Sequence, residues 1–160
     1  MIGREMSDFY ACVIPTDAGW QPEGEAAERA EDYVAGVFPD SDGAGQEITV
    51  EFYDRITAVD AGENLERITC PRCGADIPLE WYAELLEESE GEFDDLGVTV
   101  PCCNSQLQLD TLTFDWPCGF ARFEIAVLNP ARDDPEFTED ELTELGILLG
   151  HPVRQIRIHV

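Results

Sequence analysis

Four cysteines between residues 70 and 103 are the side chains of this sequence most able to do chemistry. Cys70-Pro71-Arg72-Cys73-Gly74 places two thiols three residues apart, with Pro after the first and Gly after the second, so a tight turn aims both at one point. Pro101-Cys102-Cys103-Asn104 supplies two more. Four soft thiolates around one point suit a tetrahedral Zn²⁺, and a set with no position left for water is structural rather than catalytic. The expectation is one structural Zn²⁺ per chain, held by Cys70, Cys73, Cys102 and Cys103. Neighbouring side chains of an extended backbone point to opposite faces. Cys102 and Cys103 therefore reach one ion together only if the chain turns sharply, as Pro101 and Asn104 permit. The alternative takes one of them with Cys118, which lies in its own Pro-Cys-Gly turn; the adjacent pair is the favoured reading.

Other chemistry finds little support in the sequence. A catalytic zinc needs an acid or base beside it, yet the only histidines are His151 and His159, remote from the cysteines. For the same reason Cys103 lacks a histidine to activate it as a nucleophile. Asp54, Asp60, Glu63 and Asp115 flank the region and read as solvated turn residues. Neither a Gly-rich phosphate loop nor a nucleophile elbow is present. Cys12, inside the apolar run Phe9–Pro15, reads as a small core residue, and Trp81 and Trp116 as packing around the metal site.

Charge excludes a further class. The chain carries 35 acidic residues against nine basic ones, all Arg, for a net charge of −26. Residues 70–118 alone hold 11 acids and one Arg. Phosphate binding requires the opposite sign, so no nucleic-acid partner is expected. Acid excess without Lys suits halophilic solvation or a high-GC genome. It also suits a basic protein partner, for which Glu87, Glu88, Asp94 and Asp95, within the dense run Glu84 to Asp95, are the candidate contacts. No apolar run approaches the roughly 18–20 residues that span a bilayer, and the first residues lack the apolar region of a secretory signal. The expected compartment is the cytoplasm, where thiols stay reduced and paired cysteines favour metal over disulfide.

The elements that must position these residues can be read from periodicity. Phe9–Pro15 reads as a buried strand, and residues 23–38 as a helix with Ala26, Ala27, Ala30, Tyr33, Val34, Val37 and Phe38 on one face. Ile48–Tyr53 alternates as a strand that can continue to Val59, and Leu65–Thr69 leads into the first cysteine turn. Pro78–Glu88 reads as a helix with Trp81, Tyr82, Leu85 and Leu86 together, and Ser89–Asp95 as an acidic loop. Val98–Val100 and Gln106–Phe114 run extended around the second turn. Phe120–Leu128 is a strand. Thr138-Glu139-Asp140-Glu141 is a capping box that opens a helix over 139–149, burying Leu142, Leu145, Leu148 and Leu149. Val153–Val160 closes as a strand with Ile156, Ile158 and Val160 inward. Strand-helix-strand twice over predicts an α+β protein, a ferredoxin-like βαβ–βαβ sandwich with a zinc-ribbon insertion between the two halves. The halves are residues 1–69 and 119–160, the insertion residues 70–118, all within one compact domain.

Cys70-Pro71-Arg72-Cys73-Gly74 and Pro101-Cys102-Cys103 resemble the turns of zinc-ribbon domains over about a third of the chain. The second turn departs from the usual Cys-x-x-Cys. The whole chain resembles small bacterial proteins with such a ribbon embedded, a likeness that implies no activity. The expected function is a non-enzymatic zinc-binding, acidic protein-interaction module: an adaptor, an inhibitor or an immunity-type protein capping a basic partner. The alternative is a small-ligand-binding or enzymatic α+β domain whose zinc is purely structural and whose acidity is halophilic or compositional.

Overall fold

In the computed structural model, which describes residues 9–39, 46–59, 65–115 and 119–159, the elements run in this order. First come β1 (Phe9–Pro15), α1 (Gly24–Val37), β2 (Glu47–Val59), β3 (Ile68–Thr69), β4 (Asp76–Ile77) and α2 (Leu79–Ser89). Then follow β5 (Glu92–Phe93), β6 (Gly97–Thr99), β7 (Gln106–Gln108), a 3₁₀ turn (Leu109–Thr111), β8 (Thr113–Phe114), β9 (Gly119–Leu128), α3 (Glu139–Leu149) and β10 (Val153–His159). The class is mixed α+β with antiparallel sheets, as the periodicity predicts. One sheet has the strand order β10-β1-β9-β2-β5; β4-β3-β8 and β6-β7 form two smaller ones. No described helix is long and apolar enough to cross a membrane.

By contact density the chain forms two units, residues 1–52 with 123–160, and residues 53–122. In the first, β1 lies between β10 and β9, antiparallel to both, with Cys12 opposite Ile156 and Ala126. Ala11 and Val13 join Phe123, Ile125 and Val127 in one cluster with Ala27, Ala30 and Val34 of α1 and Leu145 and Leu149 of α3. Both helices therefore share that core, and they pack against each other. The i, i+4 spacing of Ala26, Ala30 and Val34 makes the buried stripe of α1. Small alanines there allow close approach to the strands. Ile156 is buried as its pattern predicts, but it pairs with Cys12 and so lies on the face away from this cluster. Val153 packs on the cluster instead. Alternation alone cannot tell which face the helices cover when both faces are buried. Leu142 and Leu148, expected in the core of α3, are half-buried, and Ile147 stands exposed.

Arg132 closes this unit. Its guanidinium holds Glu141 bidentately, with both N···O distances 2.7 Å, and also donates to the carbonyls of Val37, Asp134 and Glu136. All five N–H donors are thereby used, and the cation lies 3.7 Å from the centre of the Phe38 ring. Glu141 Oε1 also accepts the Thr138 N–H, completing the capping box of α3. One side chain thus ties the end of α1, the loop after β9 and the start of α3. Gln46 assists with bonds to the Phe38 carbonyl and the Ala131 N–H.

The second unit is built from very short strands. Its packing runs through aromatic rings: Tyr82 against Phe114, Phe114 against Phe120, and Phe120 against Phe93, with centroids 5.4, 6.3 and 6.0 Å apart. Residues 89–95 are not simply a loop. Phe93 is buried and draws Glu92–Phe93 into a strand beside β2, with Ile56 opposite Phe93. Helix α2 ends on Glu90 in the left-handed region (φ 58°), followed by Gly91 (φ 76°). Tyr82 is its buried residue, with Trp81 half-buried.

Because Arg132 and Glu141 have little exposure, 19% and 13% of their side chains, removing one partner strands the other. Arg132→Met should lower the unfolding free energy by about 2–4 kcal/mol in urea titrations. The Arg132 guanidinium holds the Glu141 carboxyl below its ordinary value. The pair's contribution is therefore complete above the unfolded carboxyl pKa of about 4.3 and is lost as pH falls through the lower folded value. Over that acid range the stability of Arg132→Met should fall less steeply than that of the parent.

Candidate metal centre

The first cysteine turn joins β3 to β4. The Cys70 N–H donates to the Ala75 carbonyl and the Gly74 N–H to the Cys70 carbonyl, both at 2.9 Å. Gly74 has φ 77°, a conformation that side-chain-bearing residues adopt only under strain. Closing the turn points the Arg72 and Cys73 N–H groups at the Cys70 sulfur, at 3.3 and 3.5 Å. Cys70 itself is 1% exposed.

The second turn joins β6 to β7 and has the same hydrogen bonds thirty residues on. The Val100 N–H donates to the Ser105 carbonyl at 3.0 Å and the Asn104 N–H to the Val100 carbonyl at 2.9 Å. Asn104 takes the left-handed role of Gly74, with φ 58°. The strand registers correspond too: Thr69 opposite Asp76 matches Thr99 opposite Gln106, and Ile68 opposite Ile77 matches Val98 opposite Leu107. Position by position, Val100 stands for Cys70, Pro101 for Pro71, Cys102 for Arg72, Cys103 for Cys73, Asn104 for Gly74 and Ser105 for Ala75. This answers how adjacent cysteines face one point. Cys103 holds the ordinary second-ligand place, and Cys102 lies at the bend, where strand alternation does not apply.

The four sulfurs lie within 4.8 Å of one another. Cys70 and Cys103 are 3.9 Å apart, Cys73 and Cys102 3.5 Å. Metal–sulfur bonds of about 2.3 Å at tetrahedral angles place sulfurs about 3.8 Å apart, so these spacings fit a single ion. Cys70, Cys73, Cys102 and Cys103 can hold a metal. The local field is already uneven. Backbone N–H groups, that of Cys73 first and then that of Arg72, lower the Cys70 thiol to about 7. Hydrogen bonds from Ser105 lower Cys103. Burial, then the neighbouring sulfurs, raise Cys102 to about 12. Four thiolates cannot share so small a volume without a cation between them.

Other candidates from the sequence fall elsewhere. Cys12 is buried in β1, outside the cluster. Cys118, Trp116, Asp60 and Glu63 lie outside the described residues, as does the side chain of His159. His151 stacks on Trp20 with ring centroids 4.7 Å apart. Asp54 is exposed, and Asp115 accepts the Glu66 N–H at 3.0 Å, a turn-closing role. Glu87, Glu88, Asp94 and Asp95 are all exposed. Two of them have internal work: Asp94 pairs with Arg55 at 3.0 Å, and Asp95 accepts the Gly97 N–H at 2.8 Å. Sequence reasoning missed the equivalence of the two turns. The signal was present in Pro71-x-Cys73-Gly74 against Pro101-x-Cys103-Asn104, Gly and Asn being the residues that tolerate a left-handed backbone.

No family model, no curated protein and no solved structure matches this chain.

Protein purified without chelator should carry one metal ion per chain by elemental analysis. Cys70→Ser and Cys103→Ser should lose most of it, and Cys12→Ser should retain it. Stripping the metal should cost several kcal/mol of stability, on the order of the folding energy that structural sites supply, read as a fall in the urea midpoint.

Proposed function

We propose that the chain is a non-enzymatic zinc protein whose zinc-ribbon-like region, residues 70–118, stiffens an acidic surface for docking a basic protein. Adaptor, inhibitor and immunity-type roles belong to this class. The observation that carries the reading is the closed set of four sulfurs. Four thiolates favour zinc among common divalent ions and leave no site for a catalytic water. A reducing compartment such as the cytoplasm is the setting in which such thiols stay available. A ferredoxin-like sandwich is the proposed frame. Supporting it are the order β10-β1-β9-β2 in the main sheet and the core shared by α1 and α3.

The partner's sign follows from the charge. A chain of net −26 attracts cationic surfaces, and the attraction falls steeply with salt. Glu87 and Glu88 are exposed near the C-terminal end of α2, where the helix dipole disfavours acids. A basic partner relieves that repulsion.

Capture from host lysate at low and high salt tests this. A partner should be retained at low salt and lost at high salt. Glu87→Lys with Glu88→Lys should weaken it about tenfold or more while metal content stays unchanged. Asp94 and Asp95 are kept in this variant because Arg55 and the Gly97 N–H depend on them. Equal binding of parent and variant at low salt would sink the role of α2 and its acids.

A further inference from the structure

The equivalence of the two turns shows that one ligand is displaced. In the first turn the innermost sulfur belongs to the first position, Cys70, nearly inaccessible and held by two backbone N–H groups. In the second turn that position is Val100, 0% exposed and without a ligand atom. The missing sulfur comes instead from Cys102, at the third position, where the first turn carries the exposed Arg72. Among the described residues no backbone N–H reaches the Cys102 sulfur, whose nearest partner is the Cys73 sulfur at 3.5 Å. Cys73 is itself exposed. The site thus has a secured pair, Cys70 and Cys103, and an outer edge, Cys73 and Cys102. Hydrogen bonds to a ligating thiolate spread its charge and hold its orientation, so exchange falls on this edge, where among the described residues neither sulfur receives a backbone N–H. Of the two, Cys73 keeps the ordinary ligand place of its turn and Cys102 is the one displaced.

We infer that Cys102 is the releasable ligand of the metal centre, and that the Cys73–Cys102 edge admits a low-molecular-weight thiolate to the ion. The inference rests on the metal reading above and adds a route by which metal enters and leaves. The exchange is a substitution without redox change. The incoming sulfur forms a bond to the ion as the Cys102 sulfur–metal bond breaks, and the freed Cys102 thiolate takes a proton from water. Cys70, Cys73 and Cys103 hold the ion meanwhile. Val100 then marks a latent ligand position. A cysteine placed there meets the N–H groups of Cys102 and Cys103, as Cys70 meets those of Arg72 and Cys73.

The test uses the zinc-loaded full chain with a chromogenic zinc chelator and rising glutathione. The transfer rate should increase with glutathione, and Val100→Cys should slow the glutathione-dependent part by about tenfold or more. Val100→Cys combined with Cys102→Ser should keep the visible absorption of a four-sulfur site when loaded with cobalt(II). A rate independent of glutathione, an unchanged rate in Val100→Cys, or loss of the four-sulfur spectrum in the double variant overturns the inference. Alkylation mapping on the unmodified, loaded chain does not depend on how the variants fold. Iodoacetamide should label Cys102 well before Cys70 and Cys103, and equal or reversed labelling overturns it. A parent chain that binds no metal at all would instead remove the metal reading beneath it.

Discussion

The convergence of four sulfurs from two hairpins is the constraint on which residues 65–115 depend. β3, β4 and β8 are two residues long, and β6 and β7 three. Ladders this short contribute too few bonds to offset the ordering of the chain between them. What fixes each hairpin is its turn, and what relates the turns is the shared point at which their cysteines meet. A metal there would do the work that a core does in a longer strand pair. It would close the chain from residue 70 to residue 103, and it would make four thiols in contact a favourable arrangement rather than a repulsive one. The aromatic run from Tyr82 through Phe114 and Phe120 to Phe93 supplies the apolar packing.

The other unit solves the same problem without metal. Its core is shared by α1, which buries mostly alanines, and α3, which buries leucines, and the elements meet at loops where apolar burial alone gives little direction. Arg132 supplies direction there. Its planar fork matches the Glu141 carboxylate, its remaining donors take backbone carbonyls, and its flat face lies on Phe38. A lysine could provide the charge but neither the fork nor the stacking. The absence of Lys from the whole chain matters less than the geometry that Arg permits at this place.

Much of this was legible in the sequence, for reasons that differ by element. The strand Phe9–Pro15 and the helix from Glu139 were readable because a Pro ends one and a capping box starts the other, and such local chemistry does not depend on tertiary context. The cysteine turn at residue 70 was readable because Pro and Gly fix its backbone. The face of β10 that meets the helices was not, because Ile156 and Val153 are both apolar and burial on both faces erases the period of two. Strand β5 escaped notice because a single buried ring, Phe93, outweighs the six acids from Glu87 to Asp95. The displaced ligand of the second turn was hidden by attention to spacing. Cys-Cys looks unlike Cys-x-x-Cys, while the Pro and the left-handed residue that define the turn are unchanged.

The acids and the metal bear on each other. A divalent ion in four thiolates remains doubly negative, so binding it does not neutralise residues 70–118 but concentrates their charge. Two arginines that precede this stretch in sequence pair with its acids: Arg55 with Asp94 and Glu92, Arg67 with Asp76. These exposed pairs add little stability, but they fix which carboxylates stay free. Asp94 is engaged by Arg55 and Asp95 by the Gly97 N–H, while Glu87 and Glu88 stand exposed near the end of α2. A chain of net charge −26 disfavours the approach of anions, including the thiolates that would take its metal. Exchange as inferred above would then be least opposed at an edge open to solvent, in the same site as the exposed Arg72, which lies between Cys70 and Cys73 in the first turn. The position that carries the displaced ligand in one turn thus carries the one nearby cation in the sequence of the other.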